Sequence, residues 1–140
     1  MKTKRVSLKQ AVDFHGHLGP YLVLGILAGE FAINKLKCKK YFGLEVKVYG
    51  ANHKPKSCLI DGLQLSSGAT YGKGNIQKID GHLIEIEFLN IENQKKIFLK
   101  LKNELLKELA RLDNHSAGEV FAKKIYRMPF EELFHLQTAF

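Results

Sequence analysis

The stretch that most constrains this chain runs from Leu18 to Gly29, where no charged side chain occurs until Glu30. About 20 apolar residues are needed to cross a bilayer, so this run reads as a buried helix and not as a transmembrane one. Pro20 suits the first helical position, and the helix is expected to extend to about Lys37. It is apolar nearly all round and must therefore be covered on every side. Gly25, Ala28, Gly29 and Ala32 form a seam of small residues along which another backbone can come close. A chain of 140 residues has few elements to supply that cover, so a homodimer with this helix near its centre is expected.

The flanking patterns mix strands and helices. Ser7 fits the N-cap of a helix from Leu8 to about Phe14, followed by a loop at His15-Gly16-His17-Leu18-Gly19. Leu44–Tyr49 alternates apolar and polar residues, as a half-buried strand does. Ser57 can cap a short helix from Cys58 to about Leu65, and the glycine-dense segment Gly68–Asn75 follows. Ile76–Ile79 and His82–Leu89 read as two strands joined by a tight turn at Asp80-Gly81, and Lys96–Leu101 as a further strand. Helices are expected over about Asn103–Leu112 and Ser116–Arg127, with a last turn after Pro129. No linker or repeat interrupts residues 1–140. The irregular order predicts one compact α+β domain, its mixed or antiparallel sheet packed by helices.

Composition narrows the class. With 45% hydrophobic and 26% charged residues, the chain is neither disordered, collagenous nor a disulfide scaffold. Cys38 and Cys58 read as reduced thiols, and the protein is expected in the cytoplasm. Lys2, Lys4 and Arg5 do not start a signal peptide, because Asp13, His15 and His17 stand before the apolar run. The net charge of +8 favours acidic partners, yet only Arg5, Arg111 and Arg127 are arginine. A lysine-rich excess more often marks a solvated surface than phosphate recognition. No basic motif interleaved with aromatics is present, so neither nucleic acid nor a membrane is expected as partner.

Three segments can carry chemistry. In His15-Gly16-His17 an extended backbone would point both imidazoles the same way, towards one ion. Two neutral loop histidines are an equally common outcome of such a pair. Cys58 sits at an expected helix start behind Lys54 and Lys56, a setting that favours the thiolate. Asp61 lies on the same helical face, placed to orient a ligand or to be one. The competing reading is a small cysteine filling space. Gly72-Lys73-Gly74-Asn75 fails as a P-loop, since Gly68 is one residue too close and Gly74 replaces the magnesium-binding hydroxyl. Its glycines still allow backbone N–H groups, with Lys73, Thr70 and Asn75, to face an anion; a plain tight turn is the alternative. Motifs for a serine triad, a metalloprotease helix and Cys-x-x-Cys are absent.

Taken together, Phe14-His15-Gly16-His17-Leu18-Gly19-Pro20, Cys58-Leu59-Ile60-Asp61-Gly62-Leu63-Gln64 and Gly68-Ala69-Thr70-Tyr71-Gly72-Lys73-Gly74-Asn75 resemble the motifs of a known family. This is the FmdE family, named for its association with formylmethanofuran dehydrogenase. Its members carry His-Gly-His-x-Cys-Pro, Cys-x-x-Asp-Ala-x-Gln and Gly-Cys-Thr-x-Gly-Lys-Gly-Asn in this order. Met128–Phe134 resembles the family's closing segment. The resemblance implies an α+β core that forms an intertwined homodimer and binds a divalent transition metal, often zinc. The matched ligands are His15, His17 and Cys58. The family's appended cysteine-rich finger is not expected here. Gly19 and Ala69 stand where the family has cysteines, so a dithiol or iron–sulfur mechanism loses its ligands. A site of two imidazoles and one thiolate survives, with a coordination position open to water or substrate.

Two functions follow. The first is a metal-dependent FmdE-type protein, an enzyme or an accessory to a molybdopterin- or tungstopterin-linked oxidoreductase. The second is a non-catalytic dimeric module that binds an anionic metabolite. In both, the glycine-dense loop is expected beside the histidines and Cys58 as the anion-binding wall of one pocket, with Asp61, Thr70, Lys73 and Asn75 contacting the ligand.

Overall fold

The computed structural model describes residues 5–140; Lys2 and Lys4, read above as a basic start, lie outside these residues. Helix α1 spans Leu8–His15. Ser7 Oγ accepts the Gln10 N–H at 3.0 Å, while Gln10 Oε1 accepts the Ser7 N–H at 2.9 Å, a closed capping box. The helix ends at Gly16, whose φ of 108° lies in the left-handed region that favours glycine. The chain thereby bends by 119° into helix α2, Pro20–Leu36.

The apolar run forms α2 as its composition requires, with thirteen of its 17 residues buried. Helix α3, Cys58–Ser67, lies against the small-residue seam. A Cβ on Gly25 would stand 2.0 Å from the Leu59 carbonyl oxygen, and one on Gly62 2.1 Å from that of Leu22. Ser66 Oγ donates across the contact to the Gly25 carbonyl at 3.2 Å, and Gly29 leaves the space that Ser66 fills. Helix α5, His115–Tyr126, packs on another side of α2, and the buried faces of the strands complete its cover. The burial of α2 is thus supplied within one chain. The need for a second copy around this helix, expected from its all-round apolarity, does not arise. Glu30, the residue that breaks the apolar run, accepts Arg5 Nε–H at 3.1 Å and the Val6 N–H at 3.0 Å. Burial nevertheless raises its pKa, against the opposing pull of those donors.

The five strands are β1 (Leu44–Tyr49), β2 (Ile76–Ile79), β3 (Glu85–Asn90), β4 (Lys96–Leu101) and β5 (Phe134–Ala139), in the order β2-β1-β3-β4-β5. The β1–β2 pair is parallel and the other pairs are antiparallel, giving the mixed sheet of an α+β domain. Val46 pairs with Phe88 and Phe88 with Ile97, so one face of the sheet meets the core. The expected hairpin at Asp80-Gly81 is not formed, because β1 lies between β2 and β3. A parallel pair needs a crossover where an antiparallel one needs only a turn. Here Asn52 clamps the crossing segment, its side chain exchanging hydrogen bonds with the Gly81 N–H and C=O at 3.2 and 2.9 Å. Gly50, at φ 80°, lets Leu83 pass, since a Cβ there would stand 2.1 Å from the Leu83 carbonyl oxygen. Where β5 runs, the sequence predicts only a terminal turn. The strand buries Phe134 alone, so no apolar alternation marks it, and its ladder to β4 holds it in place.

Helix α4, Asn103–Ala110, precedes α5 and agrees with the sequence pattern. Among the described residues no single helix is long and apolar enough to cross a membrane.

The close approach of α2 and α3 yields the first prediction. Gly62→Ala forces a methyl group into the Leu22 carbonyl, an overpacking that backbone cannot relieve by rotamer change. Unfolding in urea should show a loss of about 3 kcal/mol, against under ~1 kcal/mol for Gly72→Ala, whose Cβ meets nothing closer than 3.9 Å.

Candidate functional site

A cavity of about 320 Å³ opens where the end of α1, the start of α2, the start of α3 and the α4–α5 connection meet. His15, His17, Pro55, Cys58, Leu112 and His115 are among the residues that line it. The α1 cap delivers His15 as its last residue, and Gly16 turns the chain so that His17 follows into the same space. Their ring centroids are 4.9 Å apart.

Behind His15 stands Asp61, one turn into α3. The His15 Nδ1–H donates to Asp61 Oδ2 at 2.6 Å, a short charge-assisted bond. This fixes the tautomer and leaves Nε2 as the basic nitrogen. His15 Nε2 is buried and has no hydrogen-bond partner among the described residues. A buried unpartnered acceptor is costly, and such atoms commonly mark a functional position. Asp61 Oδ1 in turn faces Gln64 Nε2–H at 3.5 Å, and Gln64 Oε1 accepts the Tyr71 N–H at 3.1 Å. A polar chain therefore runs from the glycine-dense loop through α3 to His15.

His17 has its pKa lowered from the usual imidazole value, first by burial and then by the neighbouring His15 and His115. It is neutral at pH 7, with a lone pair available to an electrophile.

Cys58 reaches the cavity, but its thiol is not activated as the sequence suggested. Burial, then the Asp61 carboxylate, push its pKa up, and Lys54 offsets this only in part. The helix start offers no free amide donors to a thiolate. The turn before it uses them: the N–H groups of Ser57, Cys58, Leu59 and Ile60 donate to the carbonyls of His53, Pro55, Lys56 and Ser57.

Thr70, Lys73 and Asn75 do not line the cavity. Asn75 Oδ1 accepts the Thr70 N–H at 2.9 Å, and its Nδ2–H donates to the Tyr41 carbonyl at 2.7 Å. Lys73 Nζ donates to the Gly68 carbonyl and, at 3.2 Å, to Thr70 Oγ1. These polar groups hold the loop in shape and tie it to the start of β1. The loop meets the histidines through the Gln64–Asp61 relay and not as a cavity wall.

His115 is the cavity residue that motif reading missed. It is the first residue of α5, capped by Asn114, and its ring stands edge-on to His17 at 5.6 Å. It is far from the three motifs in sequence, so only the packing of α5 on α2 brings it in.

Among the described residues no three His, Cys, Asp or Glu side chains are already arranged to hold one ion together. The donor chemistry nonetheless fits one. A carboxylate-held imidazole with a bare, buried Nε2 is the usual form of a metal-binding histidine, and a neutral imidazole and a thiol share its cavity.

Comparison with known proteins agrees with this fold and these motifs. The family described as "FmdE, Molybdenum formylmethanofuran dehydrogenase operon" matches residues 14–135, and the chain belongs to that family. A crystal structure of an FmdE-like protein of tungsten formylmethanofuran dehydrogenase, from Syntrophus aciditrophicus, shares the fold, with a TM-score of 0.71 at 16% identity. The match covers 94% of this chain and 69% of that one. A curated relative, a probable S-adenosyl-L-methionine-binding protein from Archaeoglobus fulgidus, is 27% identical over 73% of this chain. The chain spans 31% of that relative's length.

The thiol's environment gives the second prediction. A raised pKa keeps Cys58 protonated through the range where an unfolded thiol, of pKa ~8.5, ionises. In a metal-free Cys38→Ser variant, alkylation by iodoacetamide at pH 8 should be slower than that of a model thiol. Its rate should rise only above the ordinary thiol range. By the same sign, this group's contribution to stability is full below the unfolded value and is lost as pH rises from there through the folded one.

Proposed function

We propose that this chain is a metal-dependent FmdE protein that serves a molybdenum or tungsten oxidoreductase of the formylmethanofuran dehydrogenase type, as an enzyme or as an accessory. His15, His17 and Cys58 would hold a divalent transition ion, with zinc the best fit to two imidazoles and one thiolate. The single observation that carries this reading is the His15 ring, held through Nδ1 by Asp61 while its buried Nε2 has no partner among the described residues. When bound, such an ion supplies a Lewis acid that polarises a carbonyl or activates a water. The residues around it do the rest. Asp61 orients His15 and raises the basicity of its free nitrogen. His17, kept neutral by its surroundings, needs no deprotonation to ligate. Cys58 must release its proton on ligation, so affinity should strengthen as pH rises. Leu112 and Pro55 close the apolar side of a cavity sized for a small ligand.

Equilibrium dialysis against zinc tests the site. The chain should take up one ion per protomer, His15→Ala and Cys58→Ser should abolish uptake, and Asp61→Asn should weaken it ~10–100-fold. A chain that takes up no zinc at micromolar concentration would refute the reading.

A second reading, an anion-binding dimeric module, draws on the exposed aromatics around the glycine-dense loop. Phe14, Tyr41, Phe42 and Tyr71 are all more than half exposed, and Lys73 Nζ lies 5.3 Å from the Phe42 ring centroid. Such a cluster suits contact with a second copy. Light scattering at micromolar concentration should then give a dimer mass, reduced to a monomer by Phe42→Lys. Calorimetry of the metal-free chain with small phosphates, carboxylates and S-adenosyl-L-methionine would identify the module's ligand.

A further inference from the structure

We infer that His115 is the fourth donor of the proposed metal site, supplied by α5 on the side that Gly19 leaves open. This rests on the metal reading given above and extends it to a residue outside the three motifs.

The geometry of the rings carries the argument. Two imidazoles bound to one tetrahedral ion through bonds of ~2.0–2.1 Å have their centroids about 5 Å apart. His15 and His17 stand at 4.9 Å, and His17 and His115 at 5.6 Å. Both pairs therefore have the separation that a shared ion requires, with His17 in the middle and the cavity between them. The rings of His17 and His115 are mutually perpendicular, so they do not stack and an edge nitrogen of each is free to turn inward.

Position 19 explains why a residue from α5 can reach this point. A Cβ on Gly19 would lie 3.4 Å from His17 Nε2, at the near limit of van der Waals contact. A longer side chain there would occupy the approach to the nitrogen that has to ligate. With glycine, that approach is left to His115. The placement of His115 is built in: Asn114 Oδ1 accepts the Ala117 N–H at 2.8 Å and sets the first turn of α5. Gly118, one turn on, sits against Pro20 at the start of α2. The helix that bears His115 is thus seated on the helix that follows the His-Gly-His loop. Three imidazoles and one thiolate make a closed four-coordinate site, where the motif residues alone leave one position open. Being at an exposed helix start, His115 is the ligand that an incoming substrate donor can replace at least cost.

Titration of the metal-free chain with cobalt(II), followed by visible absorption, tests this. The unaltered chain should show four-coordinate ligand-field bands with a single thiolate charge-transfer band. His115→Ala should bind cobalt more than ~100-fold more weakly, beyond the ~10–100-fold cost of losing an outer-shell partner. His115→Cys should recover tight binding and intensify the charge-transfer band, a signature that a merely structural role would not produce. His135→Ala, on β5, serves as the control and should leave the titration unchanged. Circular dichroism should match among all variants, because His115 is exposed. If His115→Ala bound cobalt with unaltered affinity and spectrum, the inference would be overturned while the three-ligand reading stood. If the unaltered chain bound no cobalt, both would fall.

Discussion

Two helix backbones touch in this protein, and most of what lies around the cavity depends on that contact. Gly25 and Gly62 face one another without side chains, so α2 and α3 approach until the carbonyl of each helix lies where the other's Cβ would be. Ser66 closes the contact with hydrogen bonds to the Gly25 and Gly62 carbonyls. Asp61 and Cys58 ride on α3, and the His-Gly-His loop leads directly into α2. The 2.6 Å bond between His15 and Asp61 is possible because the two helices that fix its ends are this near. A helix pair spaced by ordinary side chains, at roughly 8–10 Å between axes, would not close it.

The environment so created acts differently on the donors that share it. His17 is kept neutral by burial and by its imidazole neighbours, whereas Cys58 keeps its proton because burial and Asp61 disfavour the thiolate. His15 is fixed in one tautomer by the carboxylate behind it. The site is therefore assembled in orientation before it is assembled in charge. An ion that enters must expel the thiol proton but finds both imidazoles of the loop ready.

Much of this is legible in the residues, and the remainder is hidden for identifiable reasons. Helix α2 and its small-residue seam follow from composition and spacing, and Ser7 and Pro20 mark helix starts at the observed positions. Motif reading groups His15, His17 and Cys58, which share one cavity, and Asp61 orients His15. Lys73, Thr70 and Asn75 look like ligand donors because the sequence does not reveal that the loop uses them for itself. The thiolate expected at Cys58 fails because a turn of backbone carbonyls precedes α3 and consumes its free donors. Asp80-Gly81 reads locally as a hairpin, yet the strand inserted between β2 and β3 is set by pairing across the whole sheet. Strand β5, exposed along nearly all its length, carries no periodic signal. His115 is invisible to any motif, since helix packing alone brings it to the histidines.

The polar chain from Tyr71 through Gln64 and Asp61 to His15 makes the glycine-dense loop part of the chemistry without touching it. Gln64 accepts from a loop amide and donates to the carboxylate, so a shift of the loop alters how much negative charge Asp61 lends to the imidazole. The loop then works as a tuning arm: whatever presses on its exposed aromatic tip is felt as electron density at a buried nitrogen. Residues that never enter the cavity can in this way set how firmly it grips what it holds.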